Sequence, residues 1–367
     1  MILLNKVSKV YAGKTVVNKL SMEVKKGEIC VLIGPSGCGK TTTLRMINRM
    51  IEPTEGNIVI DGQEIRKFKP EILRRSIGYA IQMVGLFPHM TVAANIAIVP
   101  EMLKWEKQRI LSRITELLNL VGLNPEDYKS KYPYQLSGGE AQRVGVARAL
   151  AANPPILLMD EPFGAVDPLT REKLQTQFLN IQKELKKTVI LVTHDLDEAI
   201  RMADRIAIMK DGELVQYDIP EVILSNPANK FVYSFVGTDR ALKWLSRISV
   251  EKFIKPSPTI NINASSEKAY AACIQCRWVW VIDNNQRLLG WIDRTIVSQV
   301  NSVVEAMVQI RPDEVAATKS SSLKEALSIM LSKGMRTIPV IDEHGIFQGE
   351  IDMIDIEKAT SGAEKKS

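Results

Sequence analysis

The sequence predicts an α/β domain with a largely parallel central sheet over residues 1–237, followed by a smaller α+β unit of two tandem repeats that ends near residue 360. Three observations predict it. Short β-rich runs alternate with helical patterns in the first part: 28–33 then 40–50, 156–160 then 168–186, and 189–193 then 196–203. A glycine-rich run, Gly34-Pro35-Ser36-Gly37-Cys38-Gly39-Lys40-Thr41-Thr42, sits at the first of these strand-to-helix junctions. Later, Val281-Ile282-Asp283, Gly290 and Ile292-Asp293 recur as Val340-Ile341-Asp342, Gly349 and Ile351-Asp352, each 59 positions further on.

Taken in order, 2–11 and 15–24 read as an antiparallel β entry around the Ala12-Gly13-Lys14 turn. The alternating segments then build the sheet. Residues 238–252 read as a linker, 253–305 and 306–360 as the two repeats, and 361–367 as a tail. Each repeat sets a helical stretch (265–276, 322–333) before a β-run, a polar turn and a second β-run. Two copies suit pseudo-twofold packing, since a solenoid needs at least three. The spacings Ser266 to Val281 and Ser322 to Val340 make the first repeat about three residues the shorter.

Composition excludes several classes. Apolar residues make up 45% of the chain and aromatic ones 6%, enough for a sizeable core and against disorder. The excess of 48 Lys and Arg over 42 Asp and Glu is too small and dispersed for a nucleic-acid footprint. Four cysteines make no disulfide framework, and Cys273 and Cys276 form a lone CxxC, so a reducing cytoplasm is expected. The first ten residues lack the pattern of a secretory signal, and no apolar run approaches the roughly 20 residues that span a bilayer. Work at a membrane therefore falls to partner chains.

The glycines of 34–39 let backbone N–H groups close around phosphate oxygens, and the next helix directs its positive end at them. Lys40 then reaches the outer phosphates and Thr41 offers a hydroxyl to Mg²⁺. Cys38 fills a spacing position where the helix N-terminus acts to lower a thiol pKa. The apolar run 156–159 ends in Asp160 and Glu161. Two acids closing a buried strand need a reason: Asp160 can hold Mg²⁺ and Glu161 can take a proton from an attacking water.

Leu136-Ser137-Gly138-Gly139-Glu140, followed by Ala141-Gln142-Arg143-Val144, opens a helix with a second anion-binding N-terminus. This run resembles the signature of the ATPase subunits of ABC transporters. The resemblance implies that Ser137 and its glycines face the γ-phosphate held by an opposite subunit, so that a homodimer sandwiches two ATP molecules. It further implies that Tyr11 stacks on adenine, Gln82 senses Mg²⁺ and the attacking water, Asp167 communicates across the dimer, and His194 is the switch histidine. Two departures stand out: Glu140-Ala141 where glutamines are frequent, and Val166 where leucine is usual. Soluble ABC ATPases of translation or repair join two ATPase domains or insert a coiled coil; neither feature is present.

Residues 81–91, with Glu161-Pro162-Phe163-Gly164, resemble the importer branch, in particular the ATPases of glycine betaine, carnitine and choline uptake, which also carry tandem CBS repeats. That implies integral membrane permease partners, an extracellular substrate-binding protein reached through them, and a peripheral place on the cytoplasmic face. The repeats are then expected to regulate transport, sensing ionic strength or a nucleotide such as cyclic di-AMP. Residues 250–300 hold six Lys and Arg against four Asp and Glu, and 301–360 six against ten, so no polybasic anchor is expected. A ribose site of the CBS type takes Ser or Thr and then Asp three residues later. Here Asp293 and Asp352 hold the first position, Ile296 and Asp355 the second. Trp278, Trp280 and Trp291 alternate as packed strand residues do, rather than forming a ligand cage.

Overall fold

The computed structural model describes residues 1–81, 85–164, 166–274, 276, 278–297, 299–300 and 302–364, and the chain divides into two compact units, Met1–Val236 and Gly237–Ser367. In the first, a six-stranded sheet runs in the order Glu213–Asp218, Arg205–Lys210, Ile29–Ile33, Thr188–Val192, Ile156–Asp160 and Ile77–Ala80. All neighbours are parallel except the first pair. Every residue of Ile29–Ile33, Ile156–Asp160 and Thr188–Val192 is buried, because both faces of a parallel sheet are covered. That explains why these strands read as unbroken apolar runs.

One face packs on a four-stranded antiparallel sheet, ordered Lys14–Val24, Ile2–Tyr11, Glu55–Ile60 and Gln63–Glu64. Cys30, Leu32, Ile156, Leu158, Ile190 and Val192 meet Ile2, Leu4, Leu20 and Ile58 there, with Leu44 and Ile47 of the helix Lys40–Ile47 in the same core. The alternate spacing within each strand is the two-residue period of a sheet face. Among the described residues no helix is long and apolar enough to cross a membrane.

The second unit carries the repeat symmetry into hydrogen bonding. Trp278–Ile282 pairs antiparallel with Leu288–Asp293, and Thr337–Ile341 with Phe347–Asp352. Both ladders break register at equivalent places, Val281/Ile282 and Val340/Ile341. The two hairpin turns then pair with each other: the N–H of Leu288 donates to the carbonyl of Gly345 at 3.1 Å, and that of Phe347 to Gln286 at 3.0 Å. Each of these contacts maps onto the other by the 59-residue offset, which is a local twofold. Trp280 is buried beside Leu288 and Ile341 at this junction, a packed strand residue as expected.

Two expectations change. The repeat helices Ser266–Ala272 and Leu323–Lys333 are N-capped by Ser265 and Ser322, so the like-for-like distance from cap to Val281 or Val340 is 16 against 18 residues. The first repeat is therefore two residues shorter, not three, and the loss falls in its shorter helix. The stretch 238–252, read as a linker, instead carries the helix Arg240–Leu245, with Leu245 and Val250 buried against Ala326, Val340 and Ile351 of the second repeat. Their apolar side chains find cover there, and the Trp244 indole donates to the Ala359 carbonyl at 3.2 Å.

Candidate nucleotide site

Three adjacent parallel strands end at the same edge of the sheet, and each delivers one part of the site. Leu32 pairs with Val192, and Asp160 with Val192 on its other side, so the loop after Ile33, the acids after Met159 and the turn after Val192 emerge together. This is the crevice at the carboxyl ends of strands where open α/β sheets bind ligands.

The glycine-rich loop closes tightly. A Cβ on Gly34 would stand 2.1 Å from the Met209 carbonyl oxygen, and one on Gly39 2.7 Å from that of Val16, so neither position admits a side chain. Pro35, Ser36 and Gly37 are exposed, and Thr41 and Thr42 are half-buried at the start of the helix. Lys40, 8% exposed, folds back into the loop and donates from Nζ to the carbonyls of Gly34 at 2.7 Å and Pro35 at 3.0 Å. Its charge adds to the positive end of the helix. Burial pushes the Cys38 thiol up, outweighing the nearby Lys40 ammonium, so the lowered pKa expected from the helix N-terminus is corrected.

The Thr41 hydroxyl donates to Asp160 Oδ1 at 3.1 Å. Two hard oxygen donors side by side fit Mg²⁺. Burial raises the Asp160 pKa, against the pull of the Thr41 hydrogen bond. Glu161 follows with φ 49°, a left-handed conformation rare outside glycine. Its N–H donates to the Val192 carbonyl at 2.9 Å and its carbonyl accepts Gln142 Nε2 at 2.6 Å, two contacts that hold the strained backbone. Glu161 Oε1 then lies 3.2 Å from His194 Nδ1. Arg45, Tyr79, Gln142, Asp160, Glu161 and His194 line one cleft of about 810 Å³. Sequence reasoning missed Gln142, whose contact to Glu161 joins residues with no local pattern in common.

The other expected residues lie further out. Tyr11 ends the strand Ile2–Tyr11, 44% exposed, and pairs with Lys14, whose strand touches the loop at Gly39 through Val16. Ser137 caps the helix Gly138–Leu150 in a capping box: Glu140 N–H donates to Ser137 Oγ at 3.3 Å, and Ser137 N–H to Glu140 Oε2 at 2.7 Å. Glu140, a departure from the frequent glutamine, thus rigidifies the signature, and the Tyr128 hydroxyl at 2.5 Å holds its carboxyl below the usual range. Ser137, Gly138 and Gly139 are not among the cleft-lining residues. Asp167 caps the helix Pro168–Leu185, accepting the Thr170 N–H at 3.0 Å. Gln82 lies outside the described residues.

The chain is 44% identical to the glycine betaine/carnitine/choline transport ATP-binding protein OpuCA of Bacillus subtilis, across 97% of its own length and 96% of that relative. It belongs to the ATP-binding proteins of ABC transporters. The ABC transporter family model matches residues 17–164 and that of the CBS domain residues 304–362. The osmoprotectant import ATP-binding protein OsmV of Salmonella typhimurium is 45% identical over 91% of this chain and 88% of that one. A dimeric structure of a bacterial ABC transporter cassette superposes with TM-score 0.56 and 37% identity, over 60% of this chain and 99% of the cassette. This ABC subunit is accordingly an ATPase that binds ATP, and its second unit contains a CBS domain.

Proposed function

We propose that this ABC subunit powers import of a quaternary amine, such as glycine betaine, carnitine or choline, by hydrolysing Mg-ATP between two copies of the chain. The carrying observation is the convergence of Lys40, Thr41, Asp160, Glu161 and His194 at one sheet edge, in a chain this similar to such relatives over nearly its whole length. Gly34 to Thr42 cradle the phosphates; Thr41, Asp160 and Gln82 hold Mg²⁺; Glu161 is the general base; His194 contacts the γ-phosphate; and Tyr11 stacks on adenine. Ser137, Gly138, Gly139 and Asp167 act on the nucleotide of the opposite copy. A non-transport ABC ATPase is not favoured, given those relatives.

A separate groove of about 310 Å³, lined by Arg74, Arg75, Phe87, Val99 and Arg148 among others, suits an amphipathic, acidic cytoplasmic segment of a permease. The subunit then works at the cytoplasmic face and meets the extracellular substrate-binding protein only through that permease. The test is the reconstituted complex: ATPase activity should rise with a quaternary amine and its binding protein. Equal stimulation by an unrelated solute, with none by the amines, overturns the substrate assignment.

Residues after 237 form the regulatory pair in this reading. Asp355, the acid a ribose would need, and Asp352, which stands in the Ser or Thr position, both pair with Lys255, at 2.6 and 2.9 Å. A nucleotide such as cyclic di-AMP would have to displace that ammonium, whereas salt screens the pair directly, which favours ionic strength as the input. Removing residues 238–367 should leave basal ATPase activity within a few fold and abolish control by salt or nucleotide. A truncated complex that responds to both like the intact one ends the regulatory reading.

A further inference from the structure

Glu198 has no part in the scheme above, yet it is buried, 6% exposed against 3% for Asp160. Burial pushes its pKa up, and the Thr193 hydrogen bond pulls against that. An apolar residue at this buried position would carry no such cost, so the carboxylate calls for a role other than packing.

Its partners give one. Thr193 Oγ1 donates to Glu198 Oε2 at 2.5 Å and accepts the Asp195 N–H at 3.0 Å. Asp195 Oδ1 in turn accepts the N–H groups of Asp197 at 2.9 Å and Glu198 at 3.2 Å. Both neighbours of His194 are therefore fixed to Glu198, while the imidazole itself is 68% exposed and faces Glu161. From the helix Pro168–Leu185, Gln175 Nε2 reaches Glu198 Oε1 at 3.5 Å. One turn earlier, Arg171 lies 3.7 Å from Asp195 Oδ2 and donates to the Val166 carbonyl at 2.9 Å. Arg171 and Gln175 are four apart on one helix face, so the two rungs join the helix capped by Asp167 to the turn carrying His194.

We propose that Glu198 is a positioning residue for ATP hydrolysis: by accepting the Thr193 hydroxyl it sets the 193–195 turn that aims His194 at Glu161, and the Arg171 and Gln175 rungs let the Asp167 segment act on that aim. The proposal rests on reading Glu161 and His194 as the hydrolytic pair.

Steady-state turnover by the full chain with Mg-ATP tests it. Glu198→Ala should lower kcat by roughly 10- to 100-fold, the scale of a small misplacement, with KM for ATP unchanged within about twofold. Glu198→Gln keeps an acceptor for Thr193 and should recover kcat to within about threefold of the parent, while Thr193→Val should reproduce the loss. In a His194→Ala background, Glu198→Ala should cost nothing further, because it acts through the histidine. An undiminished kcat in Glu198→Ala, an equal loss in Glu198→Gln, or an additive loss in the His194→Ala background overturns the proposal. Should Glu198→Ala fail to fold, Thr193→Val decides: unchanged kcat there overturns it. Normal turnover by His194→Ala alone sinks the hydrolytic pair instead, a distinguishable result.

Discussion

Glu161→Gln is expected to slow ATP turnover by roughly 10²- to 10⁴-fold, the range for a lost general base, with nucleotide affinity intact. The substitution keeps the shape of the side chain. It also keeps the two main-chain bonds, from Glu161 N–H to Val192 and from Gln142 to the Glu161 carbonyl, that hold the strained backbone. What goes is basicity beside His194, while Lys40 and Thr41 are untouched. Hydrolysis blocked with binding preserved should let the Mg-ATP-bound dimer accumulate, with Ser137 of each copy facing the other's nucleotide. Phosphate release measures the first effect and light scattering the second. Near-normal turnover would remove Glu161 from the mechanism, and a monomer at saturating Mg-ATP would argue against dimerisation of the isolated chain.

Lys40→Ala should act at the earlier step, weakening ATP binding by about 30- to 4,000-fold, the equivalent of about 2–5 kcal/mol for losing one member of a desolvated charge pair. The ammonium does two things that alanine cannot: it supplies the cation for the phosphates, and it bonds the Gly34 and Pro35 carbonyls that shape the loop. Titration with a fluorescent ATP analogue reads the affinity. Comparable affinity in both proteins would mean that the backbone N–H groups and the helix end suffice to hold the phosphates.

Much of the site was legible in the chain because local rules govern its parts. Gly34 and Gly39 are dictated by close approaches of neighbouring backbone, and glycine is the residue that permits them. Asp160 and Glu161 announce themselves as acids at the end of an apolar strand, and Ser137 with Glu140 as a helix cap. The twofold of the repeats was equally plain, since a 59-residue offset carries a hairpin, its register break and its turn together. The linker was misread because a short helix with one buried face, Arg240–Leu245, gives too little periodicity to separate it from a polar connector.

The sequence by itself determined the α/β alternation, the phosphate loop, the paired acids and the internal repeat, each written within a few dozen residues in the periodicity and backbone chemistry of its own segment. Tertiary structure alone decided that Gln142 steadies Glu161, that Lys255 claims Asp352 and Asp355, that burial raises the Cys38 thiol, and that Glu198 anchors the turn of His194. Apart from Glu198, which meets its Thr193 partner across a single turn, these contacts bridge segments distant in sequence or depend on what covers a side chain. Hydrogen bonds and desolvation act over a few ångströms of space, and only the packed sheet brings those groups that close.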